Sequence, residues 1–363
     1  MTDAVGGPTE AQWAAAVALL QAADEVVLAC HVGPDGDALG SMLALGAALR
    51  SAGKRVTASW GSQPFAVPAA YTFLPALDLL VPAEQLASAP ALFVTFDTGS
   101  ADRLGTLADR VDSASRTLVI DHHTSNTRYG TDHLVDTCAA ATAVVVAELL
   151  DRLDLPLTAQ IAAALYTGLI TDTGSFKYAA TTPAVHLLAA RLLATGIRHD
   201  LISRAIWDTA PFRYVKLLGT VTARAELDRD AVAGAGLIWS TVTAADLAAA
   251  DLGLADVEGV IDVLRIAVEA EVAVVLKQEP DSSCWRVSLR SKGAVDVGAV
   301  SVGLGGGGHR FAAGFTAYDQ PQVILDDLRR ALTAAALEAA AGAAGDLDAA
   351  GAVLVGSAGG TVR

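Results

Sequence analysis

In Val26-Val27-Leu28-Ala29-Cys30-His31-Val32-Gly33-Pro34-Asp35-Gly36-Asp37-Ala38-Leu39-Gly40-Ser41, a short β-branched apolar run ends on one histidine and two aspartates. It then passes directly into a second apolar run. Val26 to Cys30 has the length of a buried strand. Ala38 to Leu49 has the length of a helix, with Gly53 placed for its C-terminal cap. A strand, a polar loop and a helix in that order open a parallel α/β sheet. Two later apolar runs end the same way. Leu92 to Phe96 ends at Asp97, and Thr117 to Ile120 ends at Asp121-His122-His123.

The surrounding chain agrees with this alternation. Thr9-Glu10-Ala11-Gln12 reads as a capping box for a helix to about Ala23. Lys54 to Ser59 reads as a strand, the proline-containing stretch to Pro90 as loop and short helix, and Asp102 to Val111 as helix. Helices fit Ala139 to Leu153 and Thr158 to Thr171, the second running into Asp172-Thr173-Gly174-Ser175-Phe176. The expected architecture is α/β, a parallel sheet with helices on both faces, and three of the four polar clusters fall at strand carboxyl ends. Ligands of such sheets bind there. Pro183 to about Asp228 reads as a helical connection. From about Ala233 a second, smaller α/β domain is expected, with strands at 236–240, 272–278 and 285–290 and a helix at 256–266. The boundaries read as 1–187, 188–232 and 233–339, with a low-complexity, disordered tail at 340–363.

Composition limits the partners. The chain of 363 residues has 40 acidic and 25 basic residues and a net charge of −15. Long nucleic acids are gripped mainly through Lys and Arg on phosphates, so long duplexes are not expected and any nucleic-acid substrate is short. Cys30, Cys138 and Cys284 form no CxxC pair and read as small buried thiols. The uncharged run from Val56 to Leu77 is interrupted by Pro64, Pro68 and Pro75, so it does not read as a membrane span. Met1 to Thr9 has neither a basic region nor an apolar signal core, and the expectation is cytoplasmic.

Asp35, Asp37, Asp97 and Asp172 bring four negative charges to one region. Two divalent cations balance them, where a buried cluster without metal would repel itself. His31 and His122 add nitrogen donors, which suit manganese better than magnesium. Gly36 between Asp35 and Asp37 allows a tight turn that aims the carboxylates at different ions. Each motif alone has an ordinary alternative: Asp35-Gly36-Asp37 a turn, Asp97 a strand-end cap, Asp172-Thr173-Gly174 a helix end. Ser41, Ser100 and Ser175 have no triad around them and read as turn or cap residues. In the C-terminal half, a four-glycine run before His309 and Arg310 would let backbone N–H groups approach a phosphate. Arg290 and Ser291 at a strand end would address the same anion. Arg265 is equally well read as a helix-surface salt bridge.

Taken together, His31-x-x-Pro34-Asp35-x-Asp37, Asp97-Thr98-Gly99-Ser100, Asp121-His122-His123 and Gly168-Leu169-Ile170-Thr171-Asp172-Thr173-Gly174-Ser175-Phe176 resemble the four-motif signature of the DHH phosphoesterase superfamily. Gly305-Gly306-Gly307-Gly308-His309-Arg310-Phe311-Ala312-Ala313-Gly314-Phe315 resembles the glycine-rich motif of the DHHA1 domain. The whole is most similar to the bacterial nanoRNase/pAp phosphatases, which degrade very short RNA and 3′-phosphoadenosine 5′-phosphate (pAp). Some members also cleave cyclic di-AMP or pApA.

The resemblance implies a mixed DHHA1 sheet, an active site in the cleft between the domains and a homodimer. It implies one Mn2+ on His31, Asp35 and Asp97 and another on Asp37, Asp97, His122 and Asp172, with Mg2+ or Co2+ as substitutes. Asp121 would orient the histidines, and His123 would face the scissile phosphate. Arg290, Ser291, Gly306, Gly307, Gly308 and His309 would bind substrate. The implied reaction is hydrolysis of a phosphoester by water activated at two metals. Two rivals share the first-domain motifs: a manganese pyrophosphatase, against which the GGGGH run speaks, and a non-catalytic cyclic-dinucleotide-binding protein, against which the intact ligands speak.

Overall fold

The computed structural model describes residues 6–280 and 284–356, with side chains as far as Ala341. The chain forms two compact units, Met1–Thr209 and Ala210–Arg363.

The first unit contains α1 (Glu10–Ala22), β1 (Glu25–Cys30), α2 (Gly36–Ser51), β2 (Arg55–Trp60), β3 (Leu92–Phe96), α3 (Arg110–Ser113), β4 (Arg116–Asp121), β5 (Asp132–Val135), α4 (Thr142–Arg152), α5 (Ala159–Asp172), α6 (Pro183–Leu193) and α7 (His199–Trp207). Its five strands are all parallel, in the order β2-β1-β3-β4-β5. The chain reverses its winding between β1 and β3, which is where such sheets place their ligands.

Strand alternation divides the core. Val26, Leu28 and Cys30 face a large cluster shared with α1, α2, α4 and α5. Val27, Ala29 and Phe93 face a thinner cover that includes Leu104 and Leu107 from a short 3-10 segment. The capping box at Thr9 and Gln12 is present. The expected helix at 102–111 is this 3-10 segment followed by α3, broken at Gly105, which has φ 59°.

Residues 36–49 of α2 are buried all round, as in a helix enclosed by protein. Small residues permit this. A Cβ on Gly40 would lie 2.4 Å from the Ala164 carbonyl oxygen of α5, and one on Gly36 would lie 2.6 Å from the Thr171 side chain. The two helices therefore approach almost backbone to backbone, which brings the start of α2 to the end of α5.

The second unit contains α8 (Phe212–Ala223), β6 (Glu226–Asp228), β7 (Leu237–Val242), α9 (Ala244–Ala250), α10 (Val260–Leu264), β8 (Val272–Gln278), β9 (Trp285–Ser291), α11 (Val297–Gly303), β10 (Gly307–His309), β11 (Ala312–Ala317) and α12 (Pro321–Gly356). Its sheet has the order β10-β11-β9-β8-β7-β6, mixed as expected, with only β7 and β8 parallel. One face packs on α12 through Ile324, Leu325, Leu328 and Leu332. Part of the other packs on α8, α9 and α10.

Three expectations need correction. The stretch 188–232 is not a separate connector: the helices to Trp207 belong to the first unit, and α8 and β6 to the second. The tail read as disordered is helical as far as Gly356, in keeping with its alanine content; residues 357–363 lie outside the described residues. Cys30 and Cys284 are buried, but Cys138 is exposed in the turn before α4.

Candidate metal centre

Parallel register builds the centre. Cys30 pairs with Phe96, and Phe96 with Ile120. The next residue along each of the three adjacent strands is His31, Asp97 and Asp121. Asp35 caps α2, its Oδ1 accepting the N–H groups of Asp37 at 3.1 Å and Ala38 at 3.0 Å. Asp37 enters from the first turn of α2 and Asp172 from the last residue of α5.

Several groups of donors result, one of them Asp97, Asp121 and His123. His31, Asp35 and Asp97 have ligand atoms within 4.8 Å of one another, and so do Asp37, His122 and Asp172. Asp97 stands between them. Its Oδ2 lies 3.7 Å from His31 Nε2, and its Oδ1 lies 3.5 Å from His122 Nε2. Asp97 itself has φ 52°, a left-handed backbone that aspartate tolerates better than most residues and that is common at functional sites. His122 Nε2 also lies 3.0 Å from Asp172 Oδ2.

The histidine tautomers suit metal binding. His31 Nδ1 donates to the Val32 carbonyl at 3.0 Å, and His122 Nδ1 donates to the Ala139 carbonyl at 3.2 Å. In both rings Nε2 is left to face the carboxylates, and a carbonyl behind Nδ1 is the usual support of a ligating histidine.

The protonation pattern points the same way. Burial opposes the charge on His31, but Asp35 and Asp97 outweigh it and raise its pKa to about 10. Burial likewise opposes charge on His122 and His123, and Asp172 and Asp121 respectively raise them above the ordinary imidazole value. Burial, reinforced by Asp97 and Asp172, pushes the Asp37 carboxyl up. Burial also opposes the Asp97 charge, but the histidines led by His31 hold its pKa low. The cluster thus balances its charge with protons, and on His31 and His122 the atom facing the carboxylates is the one a cation would use. Oxygen and imidazole donors in two groups sharing one carboxylate fit a pair of divalent ions.

Asp121 does not orient both histidines. Its Oδ1 accepts from His123 Nδ1 at 2.7 Å, and its Oδ2 accepts from Asn126 Nδ2 at 2.5 Å. His122 is held instead by Ala139. Ser41 is neither a turn nor a cap: its hydroxyl donates to Asp37 Oδ1 at 3.0 Å.

Four residues of the centre were not singled out in the sequence for these roles. Asn126 braces Asp121. Thr142 and Ala143, at the start of α4, donate their N–H groups to Asp37 Oδ2 at 2.6 Å and Oδ1 at 2.9 Å. The Thr142 hydroxyl donates to Asp97 Oδ1 at 2.9 Å. Gly168 makes room, since a Cβ there would lie 2.6 Å from Asp37 Oδ1. The signal for the last was the glycine in a helix otherwise suited to alanine.

In the second unit the register places His309, Ala312 and Arg290 in one row across β10, β11 and β9. Directly paired residues share a face, so His309 and Arg290 lie on the same side of the sheet. Ser291 does not join them. Strand alternation turns it to the opposite face, where it is buried and donates to Glu271 Oε1 at 2.8 Å. The glycine run is not an open cradle either. The Gly306 N–H donates to the Ser301 carbonyl at 2.8 Å, and its Cβ position lies 2.2 Å from the Gly314 carbonyl oxygen. Gly308, with φ 133°, would place a Cβ 2.5 Å from Ala313 Cα. These two glycines admit β11; Gly307 alone of Gly306–Gly308 has open space at its Cβ position.

The DHH family, N-terminal domain, matches residues 25–169, and the DHHA1 domain matches residues 242–341. The bifunctional oligoribonuclease and PAP phosphatase NrnA of Thermus thermophilus is 34% identical over 319 residues, covering 85% of this chain and 91% of that protein. The chain belongs to the DHH/DHHA1 family. Its expected class, a hydrolase acting on phosphoester bonds, stands with that membership. NrnA of Bacillus subtilis is 28% identical over 313 residues, covering 84% of this chain and 94% of that one. An exopolyphosphatase-related protein from Bacteroides fragilis superposes with TM-score 0.81 at 22% identity, covering 93% of this chain and 99% of that one. RecJ of Thermus thermophilus in complex with Mn2+ superposes with TM-score 0.53 at 14% identity, covering 93% of this chain and 56% of that one. These two likenesses concern the DHH/DHHA1 fold alone. Among the described residues no helix is long and apolar enough to cross a membrane.

Proposed function

We propose that this chain hydrolyses phosphoester bonds in very short nucleotides with a pair of Mn2+ ions, acting as a cytoplasmic homodimer. The substrates are short oligoribonucleotides, pApA or cyclic di-AMP, and pAp, from which it removes the 3′-phosphate. The observation that carries the reading is Asp97, whose two oxygens face two separate groups of donors. Divalent ions held there would supply a water made acidic enough to ionise near neutral pH and would offset charge on the phosphate.

The chain's own residues supply the rest. His31 and His122 each keep Nδ1 on a backbone carbonyl and so offer Nε2. His123 donates its Nδ1 proton to Asp121 Oδ1 at 2.7 Å, which fixes the ring so that it can stabilise charge or give a proton to the leaving oxygen. In the second unit Arg290 offers a guanidinium to a terminal phosphate, with His309 on the same face. The excess of acidic residues fits a short substrate better than a long one.

The test is a substrate panel on metal-stripped protein reloaded with Mn2+, scored by product identity. The panel holds a diribonucleotide, pAp, pApA, cyclic di-AMP and pyrophosphate. Mononucleotides from the dinucleotides and AMP with phosphate from pAp are expected. Turnover of pyrophosphate alone, or saturable binding without product, overturns the reading.

A further inference from the structure

We infer that Thr142 is the positioning residue that holds Asp97 in the orientation serving both donor groups; the inference rests on the paired-metal reading above. Thr142 is the first residue of α4 and is fully buried. Its backbone N–H is committed to Asp37 Oδ2 at 2.6 Å, so the residue is pinned to α2. Its hydroxyl then crosses to β3's end and donates to Asp97 Oδ1 at 2.9 Å. A carboxylate only accepts, so the direction of this bond is not in doubt. One residue thereby ties together two carboxylates that arrive from different elements.

The need for such a tie follows from Asp97 itself. It lies just beyond the last residue of β3; its N–H still donates to the Ile120 carbonyl at 3.0 Å, but its left-handed backbone departs from the strand conformation that sets side-chain direction within the sheet. Oδ1 is shared among His122 Nε2 at 3.5 Å, His123 Nδ1 at 3.6 Å and the Thr142 hydroxyl. Among these the hydroxyl is nearest. Fixing Oδ1 fixes Oδ2, which faces His31 Nε2 at 3.7 Å. Without the hydroxyl, rotation about the Cβ–Cγ bond would let one oxygen leave its group, and the two groups would cease to share a ligand. Threonine at the start of a helix commonly bonds to its own helix; here that capacity is spent across the site.

The experiment titrates Mn2+ into chelator-stripped protein and reads free Mn2+ by electron paramagnetic resonance. Thr142→Val removes the hydroxyl at nearly constant volume, and Thr142→Ser keeps it. Residues that support metal ligands typically contribute about 10- to 100-fold in metal affinity. Thr142→Val is expected to bind Mn2+ weaker by that factor, with its circular dichroism in EDTA unchanged, and Thr142→Ser is expected within about threefold of the parent chain. The concentration of Mn2+ giving half-maximal turnover should rise in the same proportion. Thr142→Ala, which leaves both backbone donors in place, replaces the valine variant should that one fail to fold. Parent-like affinity in Thr142→Val, or a serine variant as weak as valine, overturns the positioning role alone. A parent chain that binds no Mn2+ overturns the metal reading and this inference with it.

Discussion

Asp97→Asn removes one charge from a side chain that faces both donor groups, and its effect on metal-dependent stability follows from the geometry. The asparagine oxygen can still accept from the Thr142 hydroxyl at the Oδ1 position. Its NH2 then faces His31, where the structure places Oδ2. An amide nitrogen is no ligand for a hard divalent ion, so the His31 group loses one of three donors, while the other group keeps a neutral oxygen in place of an anionic one. At Mn2+ about 100 times its dissociation constant, one bound ion stabilises the native state by about 2.7 kcal/mol. For a unit the size of Met1–Thr209, each kcal/mol moves the melting temperature by about 2–4 °C. The parent chain should therefore melt about 5–11 °C higher per ion when Mn2+ is restored. Asp97→Asn should lose most of that increment. The assay is thermal unfolding by circular dichroism in EDTA and in a Mn2+ series, and the quantity compared is the shift within each protein. Comparing shifts removes the cost of losing the Asp97–histidine pairing, which lowers the metal-free variant's own midpoint. A full parent-like shift in Asp97→Asn would refute the reasoning.

In metal-free protein the His31 pKa lies above its unfolded value of about 6.5 and reaches about 10. Its stabilising contribution is thus complete below about pH 6.5 and is lost as pH rises through about 10; urea midpoints in EDTA should fall between pH 7 and pH 10, and a midpoint that rises instead contradicts the charge balance described. Gly168→Ala places a methyl 2.6 Å from Asp37 Oδ1 and 2.9 Å from Ala143 Cβ. It should destabilise by about 1–3 kcal/mol and lower turnover by at least tenfold, read by denaturant unfolding and initial rates. Arg290→Ala should raise KM with little change in kcat, whereas Ser291→Ala, which breaks a buried bond to Glu271, should cost about 1 kcal/mol of stability and leave KM alone; equal effects on KM would show that both meet the substrate.

Much of the centre was legible because apolar strand runs stop abruptly at polar residues. His31, Asp97 and Asp121 follow adjacent parallel strands, and parallel strands of a buried sheet read as uninterrupted apolar segments. The residues that complete the geometry carried no such mark. Ala143 acts through its backbone N–H group, Thr142 through its N–H and a hydroxyl whose partner lies 45 residues away, and Gly168 by having no side chain. β5 escaped notice because Asp132 and His133 give it a polar start. The glycine run has a second physical reason that its spacing does not show, since β10 and β11 approach so closely that glycine is required for packing at Gly306 and Gly308. Ser291 was open to a better reading, because alternation along β9 already separates neighbouring residues onto opposite faces.

The most direct measurement of the central claim is anomalous diffraction at the manganese edge from crystals of the Mn2+-loaded protein. Two peaks are predicted in the first unit, one among His31, Asp35 and Asp97 and the other among Asp37, His122 and Asp172, with Asp97 touching both. Peaks elsewhere, or a single peak that leaves one Asp97 oxygen without a metal, would contradict the account.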